Sequence, residues 1–421
     1  MRSTLTSRYL LAAVTAAWLA FGVVAPAAAQ DKPEVERKER ASLMGERAYK
    51  RFETIQELYS DGDYREALKN LDSMMKMQLN EYEEAMAQQM YGYSYIALED
   101  YDRAVTAFER AVKLDALPNQ AHFNLMRALA GLYASREKWQ DAVDLMLQYL
   151  KFQPKPTPQD QILLAQCYAQ MERWNDALPW VQGAIRDGGA KAQESWFQLE
   201  VAIYFETKNY AAAAGALKRI VARWPEKLKY WEMLAGAHQE LRQDQEALAA
   251  MMAAYHHGLI TDPKKILSVA RMNMYLELPY QGGSMLEKAM NQGILETDAK
   301  NLELLLGAWT NAREYNKATA VIDRLAELKR DGDLYIQKAN LKMEQNDWAG
   351  TVEAAGQALE MGDLDNPGGA WLMMGIAQME LGELQEARRA FKQAQQFDEN
   401  VRRQARDWEK FVEDRMQVAS R

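Results

Sequence analysis

The sequence predicts an all-α fold: a solenoid of about ten stacked helix-turn-helix units, closed by one C-terminal capping helix. Three observations predict it. A small residue recurs at Ala67, Ala104, Ala142, Ala177, Ala213, Ala247, Gly283, Ala318, Thr351 and Ala387, with successive spacings of 37, 38, 35, 36, 34, 36, 35, 33 and 36. An aromatic stands three residues before most of these, at Tyr64, Tyr101, Trp139, Trp174, Tyr210, Tyr315 and Trp348. No strand pattern of comparable length breaks the series. Repetition at this period argues for one array rather than two or three globular domains in 421 residues.

The chain opens with Arg2 and Arg8, an apolar run over residues 10–24, and Ala27-Ala28-Ala29 before a charged stretch. That order predicts a signal peptide over residues 1–29, cleaved after Ala29 to leave Gln30 first, because Ala27 and Ala29 supply the small side chains of the A-x-A rule. No cysteine lies near the cut, which excludes a lipoprotein. The alternative is an uncleaved anchor, if the Gly22 and Pro26 breaks were tolerated in a membrane span. No later run approaches the eighteen or so apolar residues of a transmembrane helix, so the mature chain is expected to be soluble.

The charge balance is 51 Lys+Arg against 60 Asp+Glu, a formal −9 that becomes −11 when Arg2 and Arg8 leave. Such a chain is a poor partner for nucleic acid. One cysteine, Cys167, cannot form an internal disulfide, so packing must hold the exported chain. With no Lys, Arg or His within three residues to stabilise a thiolate, Cys167 is expected to be buried and inert.

After a charged leader over residues 30–47, the array is expected over residues 48–400. Two antiparallel helices approach closely only where one offers Gly or Ala to a bulky side chain of the other. The recurrent small residue supplies this gap on each second helix, while Gly92, Ala130, Ala165, Ala235, Ala339 and Gly375 supply it on first helices. Pairs are expected to end at Pro154-Lys155-Pro156, Gly188-Gly189, Pro225, Pro263 and Asn366-Pro367-Gly368-Gly369. Units seven to nine are degenerate, with Pro279 and Gly282-Gly283 inside unit seven and Thr351 in place of alanine in unit nine, and the superhelix is expected to loosen there. Residues 401–421 form the capping helix and tail, with Trp408, Phe411 and Val412 on the apolar side of a charged segment.

No catalytic motif is present: H-E-x-x-H, G-x-S-x-G, the Walker P-loop and G-x-G-x-x-G are all missing, so the chain is read as a non-enzyme. The histidines are His122, His238, His256 and His257. Adjacent helical residues point about 100° apart, so the last two cannot chelate a metal together. Acidic runs such as residues 81–84 have the spacing of solvated helix faces, with Glu83→Ala expected to be nearly neutral. Neither cofactor nor small-molecule substrate is implied, and the oligomeric state is left open.

Tyr91-Gly92-Tyr93-Ser94-Tyr95, then Tyr101-Asp102-Arg103-Ala104, Phe108 and Ala111, reproduces the L-G-x2-Y…A-x3-F spacing of a tetratricopeptide repeat (TPR). The chain resembles that superfamily, which implies a superhelix whose concave surface is lined by first helices and binds protein. On that register the first two units present Tyr49, Phe52, Tyr59, Met86, Gln89, Met90 and Tyr93, and the middle units Arg127, Gln166, Gln198 and Glu232. Aromatic, Met and amide side chains together suit an extended or helical peptide, although inter-repeat packing claims many methionines.

A narrower resemblance rests on Glu39-Arg40-Ala41-Ser42-Leu43-Met44-Gly45-Glu46-Arg47, Glu57-Leu58-Tyr59-Ser60, Leu286-Glu287-Lys288 with Gly293, Lys300-Asn301-Leu302 with Ala308-Trp309, and residues 408–414. It is to periplasmic TPR proteins described as components of TonB energy-transduction systems, and covers nearly all the mature chain. The resemblance implies a Gram-negative periplasm and partnership with TonB or ExbB-type subunits in energised outer-membrane transport. A rival role is an adaptor in envelope assembly, in peptidoglycan synthesis or outer-membrane protein insertion.

Overall fold

The computed structural model describes residues 37–39 and 43–419. The expected signal peptide, its cleavage after Ala29 and leader residues 30–36 and 40–42 lie outside them. Among the described residues there is no strand; the chain is helical almost throughout. Contacts divide it into two units, meeting in sequence at Arg223 and Trp224.

The first unit holds five helix pairs: α1 Glu46–Ser60 with α2 Tyr64–Met74, α3 Glu81–Ala97 with α4 Tyr101–Leu114, α5 Asn119–Ser135 with α6 Trp139–Phe152, α7 Pro158–Gln170 with α8 Trp174–Gly188, and α9 Glu194–Glu206 with α10 Tyr210–Arg223. The second unit holds five more: α11 Leu228–Glu240 with α12 Asp244–His256, α13 Pro263–Tyr275 with α14 Pro279–Asn291, α15 Ala299–Asn311 with α16 Tyr315–Lys329, α17 Gly332–Glu344 with α18 Trp348–Met361, and α19 Pro367–Glu380 with α20 Leu384–Ala394. A last helix, α21 Glu399–Ala419, packs on α20 and α19. Within each unit a helix mainly touches the ones before and after it, the arrangement of an α-solenoid.

The steric reading of the repeat explains the packing inside each pair. Ala67, Ala104, Ala142, Ala177, Ala213, Ala247, Ala318, Thr351 and Ala387 are fully buried. A Cβ on Gly92 would overlap the ring of Phe108, itself fully buried in the partner helix. One on Gly375 would lie 2.6 Å from the Phe391 ring. Where a repeat carries the aromatic, it is the first residue of the second helix, as at Tyr64, Trp139 and Trp348.

Unit seven is tight rather than loosened. Pro279 is the first residue of α14, where a missing N–H costs no helical hydrogen bond. Gly282 and Gly283 are buried: a Cβ on the first would lie 2.9 Å from the Ala270 carbonyl oxygen, and one on the second 3.0 Å from the Trp309 ring. Two glycines therefore admit a close backbone approach and a tryptophan. Likewise Pro367, Gly368 and Gly369 do not end a pair but open α19, with the Asn366 side chain accepting from the Gly369 amide.

The two kinds of connection differ. The turn inside a pair is three residues long, as at residues 61–63, 98–100 and 381–383. Its middle residue is left-handed in every pair: Gly62, Glu99, Glu137, Glu172, Lys208, Arg242, Glu277, Arg313, Asn346 and Gly382. Connections between pairs vary from two residues, 330–331, to seven, 292–298. No helix among the described residues is long and apolar enough to cross a membrane.

Candidate functional site

The predicted groove residues of the first two pairs fall on α1 and α3, whose apolar stripes meet α2 and α4. Phe52 does not line a surface. It is 5 % exposed and joins Ile55, Leu71, Met74 and Tyr91 in the core of these pairs, a correction to the sequence reading. A helix in a stack has one stripe for its partner and another for its neighbours, and apolar periodicity alone does not separate them.

The others remain accessible to different degrees. Tyr49 is 56 % exposed. Met86 and Met90 are half-buried against the same core, and Gln89 is half-buried beside them in sequence. Tyr59 meets Tyr64 edge-on at 5.2 Å between centroids. Burial, then the nearby Tyr64 and Tyr93 hydroxyls, raises the Tyr59 phenol above its usual range. Tyr93 stands edge-on to Phe108, also at 5.2 Å. Tyr59, Tyr64 and Tyr93 are thus brought together, with Met86 and Met90 along α3, while Tyr49 stands on α1 as the most exposed aromatic of the set.

The polar candidates divide differently. Arg127 on α5 donates through Nε to the buried Asp160 of α7 at 2.6 Å. Asp160 also closes a capping box with Thr157. Glu232 on α11 pairs with Lys265 on α13, both in the second unit. Arg127 and Glu232 therefore clamp first helices one repeat apart. Gln198 donates to Glu194 at 3.0 Å, and Gln166 is half-buried on α7.

Glu83 departs from the solvated-face reading. It is 5 % exposed and accepts from the amides of Asn80 at 2.9 Å and Gly45 at 2.7 Å. The Asn80 side chain in return accepts from the Glu83 amide, forming a capping box. The pattern Asn80-x-x-Glu83 carried that signal, but the surrounding acidic run masked it. Cys167 is buried, and burial pushes its thiol up to about 12. His238 is buried and bonded through Nδ1 to Gln243 Oε1 at 2.7 Å, while His256 and His257 are exposed at the end of α12. Among the described residues no cluster of His, Cys, Asp and Glu could hold a metal ion.

Sequence reading missed the docking of the leader. The Arg37 side chain, 5 % exposed, reaches the connection between α4 and α5. Its Nε donates to Asp115 Oδ1 at 2.7 Å, Nη1 to Asn119 Oδ1 at 2.5 Å, and Nη2 to the Asp115 carbonyl at 3.0 Å. The Asn119 amide donates to Glu39 Oε1 at 2.9 Å. Helix α5 begins after Pro118, whose side chain cannot accept a hydrogen bond, so the leader carboxylate caps it instead. Pro118 before a helix was a signal that its cap must come from elsewhere.

Comparison with known proteins gives a family match and distant structural likenesses. The tetratricopeptide-repeat family matches residues 90–160, 203–262 and 336–401. No curated protein matches the chain. The C-terminal part of a TPR repeat-containing protein from Cytophaga hutchinsonii is 13 % identical over 66 % of this chain and 95 % of that one, with a TM-score of 0.37. The MamA protein is 14 % identical over 41 % and 91 %, with a TM-score of 0.36. YrrB, described as a TPR protein with an unusual peptide-binding site, is 15 % identical over 43 % and 89 %, with a TM-score of 0.35.

Proposed function

We propose that this all-α tetratricopeptide-repeat protein is a protein-protein interaction scaffold of the periplasm, serving a TonB–ExbB–ExbD-type system for energised outer-membrane transport. The observation that carries the interaction role is the accessible aromatic and methionine set on α1 and α3, Tyr49, Tyr59, Met86, Met90 and Tyr93. Semi-exposed aromatics held by packing lose little side-chain entropy on binding, and methionines adapt their shape to a partner. The export signal in residues 1–29 and the sequence resemblance to TonB-associated periplasmic proteins support the location and pathway.

TonB proteins as a family carry an extended periplasmic segment rich in Pro and Lys, complementary in charge to a mature chain at −11. Screening limits such attraction to about 8 Å at physiological salt, so charge sets the association rate and the aromatic set must set specificity. The test titrates the full mature chain with the periplasmic domain of its cognate TonB at low and high salt, beside a Tyr49→Ala, Tyr93→Ala variant of unchanged helicity. The expected result is salt-sensitive binding that the variant loses at least tenfold. Absence of binding at low salt would remove TonB as a direct partner and shift weight to an ExbB-type subunit or envelope assembly. Full-strength binding by the variant would move the contact off this face.

A further inference from the structure

The leader contact has the form of a ligand in a site. Its guanidinium is gripped from three directions by a carboxylate, a backbone carbonyl and a side-chain amide oxygen, all within the four-residue connection between α4 and α5 and the first residue of α5. Two residues later Glu39 takes the amide at the start of α5, where the helix dipole favours a carboxylate. The Asn119 side chain also donates back to the Arg37 carbonyl, at 3.4 Å, fixing the backbone between the two anchors. Behind the site lies His122, 5 % exposed, with Nε2 3.7 Å from Asp115 Oδ1 and Nδ1 making no hydrogen bond. Asp115 itself is held in a left-handed conformation that turns its carboxylate and carbonyl toward the same guanidinium.

We infer that the corner formed by Asp115, Asn119 and the N-terminus of α5 is a recognition site for an extended peptide carrying an arginine and, two residues on, a carboxylate, and that the chain's own leader occupies it in cis. The chemistry selects this ligand. A guanidinium presents planar donors in several directions at once and suits three separate acceptors, whereas an ammonium concentrates its charge at one point and would satisfy fewer of them. The anionic end of the ligand is read by a backbone amide, which requires a carboxylate at the right reach rather than a particular side chain. The site is built from the connection between the second and third pairs and shares no residue with the aromatic set on α1 and α3, so it stands or falls independently of the function proposed above. A tethered leader competes at an effective concentration in the millimolar range, so a free peptide reaches the site only when the leader lets go.

The probe is a fluorescent peptide with the sequence of residues 37–45, titrated into the full mature chain and followed by anisotropy. In an Arg37→Ala, Glu39→Ala variant the leader lacks both anchors, and the probe is expected to bind at least tenfold more tightly than to wild type. Adding Asp115→Asn and Asn119→Ala to that variant should abolish the gain; asparagine is chosen because it tolerates the left-handed backbone. A probe with lysine in place of its arginine should bind at least tenfold more weakly than the original. Lys38→Ala, an exposed leader change, should leave the chain like wild type. Far-UV circular dichroism confirms that each variant is folded. No binding to the folded leader variant, equal binding to it and wild type, indifference to the Asp115 and Asn119 changes, or equal binding of the lysine probe would each overturn the inference.

Discussion

Gly92→Ala adds one methyl group and tests the steric basis of the repeat. In an open helix that change stabilises, since alanine has about 1 kcal/mol more helix propensity than glycine. Here the new Cβ would overlap the Phe108 ring, which is fully buried and braced by Tyr93. Neither can move without opening the pair, so overpacking toward the upper end of about 1–3 kcal/mol should outweigh the propensity gain and leave a net loss of up to about 2 kcal/mol. Gly131 is the internal control: it lies within α5, and an added Cβ there has nothing within 4 Å. Gly131→Ala should therefore stabilise by about 0.5–1 kcal/mol. Trimming the obstacle with Phe108→Leu should recover about 1 kcal/mol of the Gly92→Ala loss in a double-mutant cycle. Long arrays unfold in parts, so urea titrations by circular dichroism should be paired with hydrogen exchange of residues 81–114, where the loss must localise. Gly92→Ala as stable as Gly131→Ala, or no coupling to Phe108, would refute the reasoning.

Other outcomes follow from the same structure. Glu83→Ala removes the acceptor of two amides at a buried cap and should cost about 1–2 kcal/mol in thermal or urea unfolding, and a neutral result would contradict the cap. Glu137→Gly and Lys208→Gly relieve a left-handed backbone and should each raise stability by about 0.5–1 kcal/mol, while Gly62→Ala should lower it; a loss in both glycine variants would contradict the turn geometry. Burial first, then the Arg37 cation, lowers the His122 pKa to about 4 from its usual 6.5, against an opposing pull from Asp115. Its stabilising share is then complete above about pH 6.5 and fades as pH falls toward 4, by about 1.4 kcal/mol per unit, because the unfolded ring takes up a proton that the folded one refuses. Urea midpoints of wild type and His122→Gln between pH 7 and pH 4.5 should diverge in slope, and parallel slopes would exclude the histidine as the cause.

What the sequence displayed was the part of the fold governed by volume. A gap for Phe108 or Phe391 can be filled only by a residue such as Gly92 or Gly375, so the rule recurs along the chain and can be counted. Direction was harder to read: Phe52 and Tyr49 lie three residues apart on one helix, yet one enters the core and the other faces outward. Charge also misled, because Glu83 reads as part of a solvated face and Arg127 as a groove residue until their partners at Gly45 and Asp160 are known. The Arg37 contact spans 78 residues, beyond any local pattern. The turns inside pairs escaped notice because charged residues such as Glu99 and Arg242 hold the left-handed position where glycine is the usual signal.

That division between fixed and variable connections says where this chain can grow. An added residue in a three-residue turn such as 98–100 would displace the left-handed position and rotate the second helix away from the gap it fills. Connections between pairs have no such constraint of length, since they run from two residues to seven, and residues 154 and 155 of the one between α6 and α7 are exposed. A tag, a protease site or a whole inserted domain belongs there, and lineages that lengthen this chain are expected to have done so between pairs, leaving every turn within a pair at its original length.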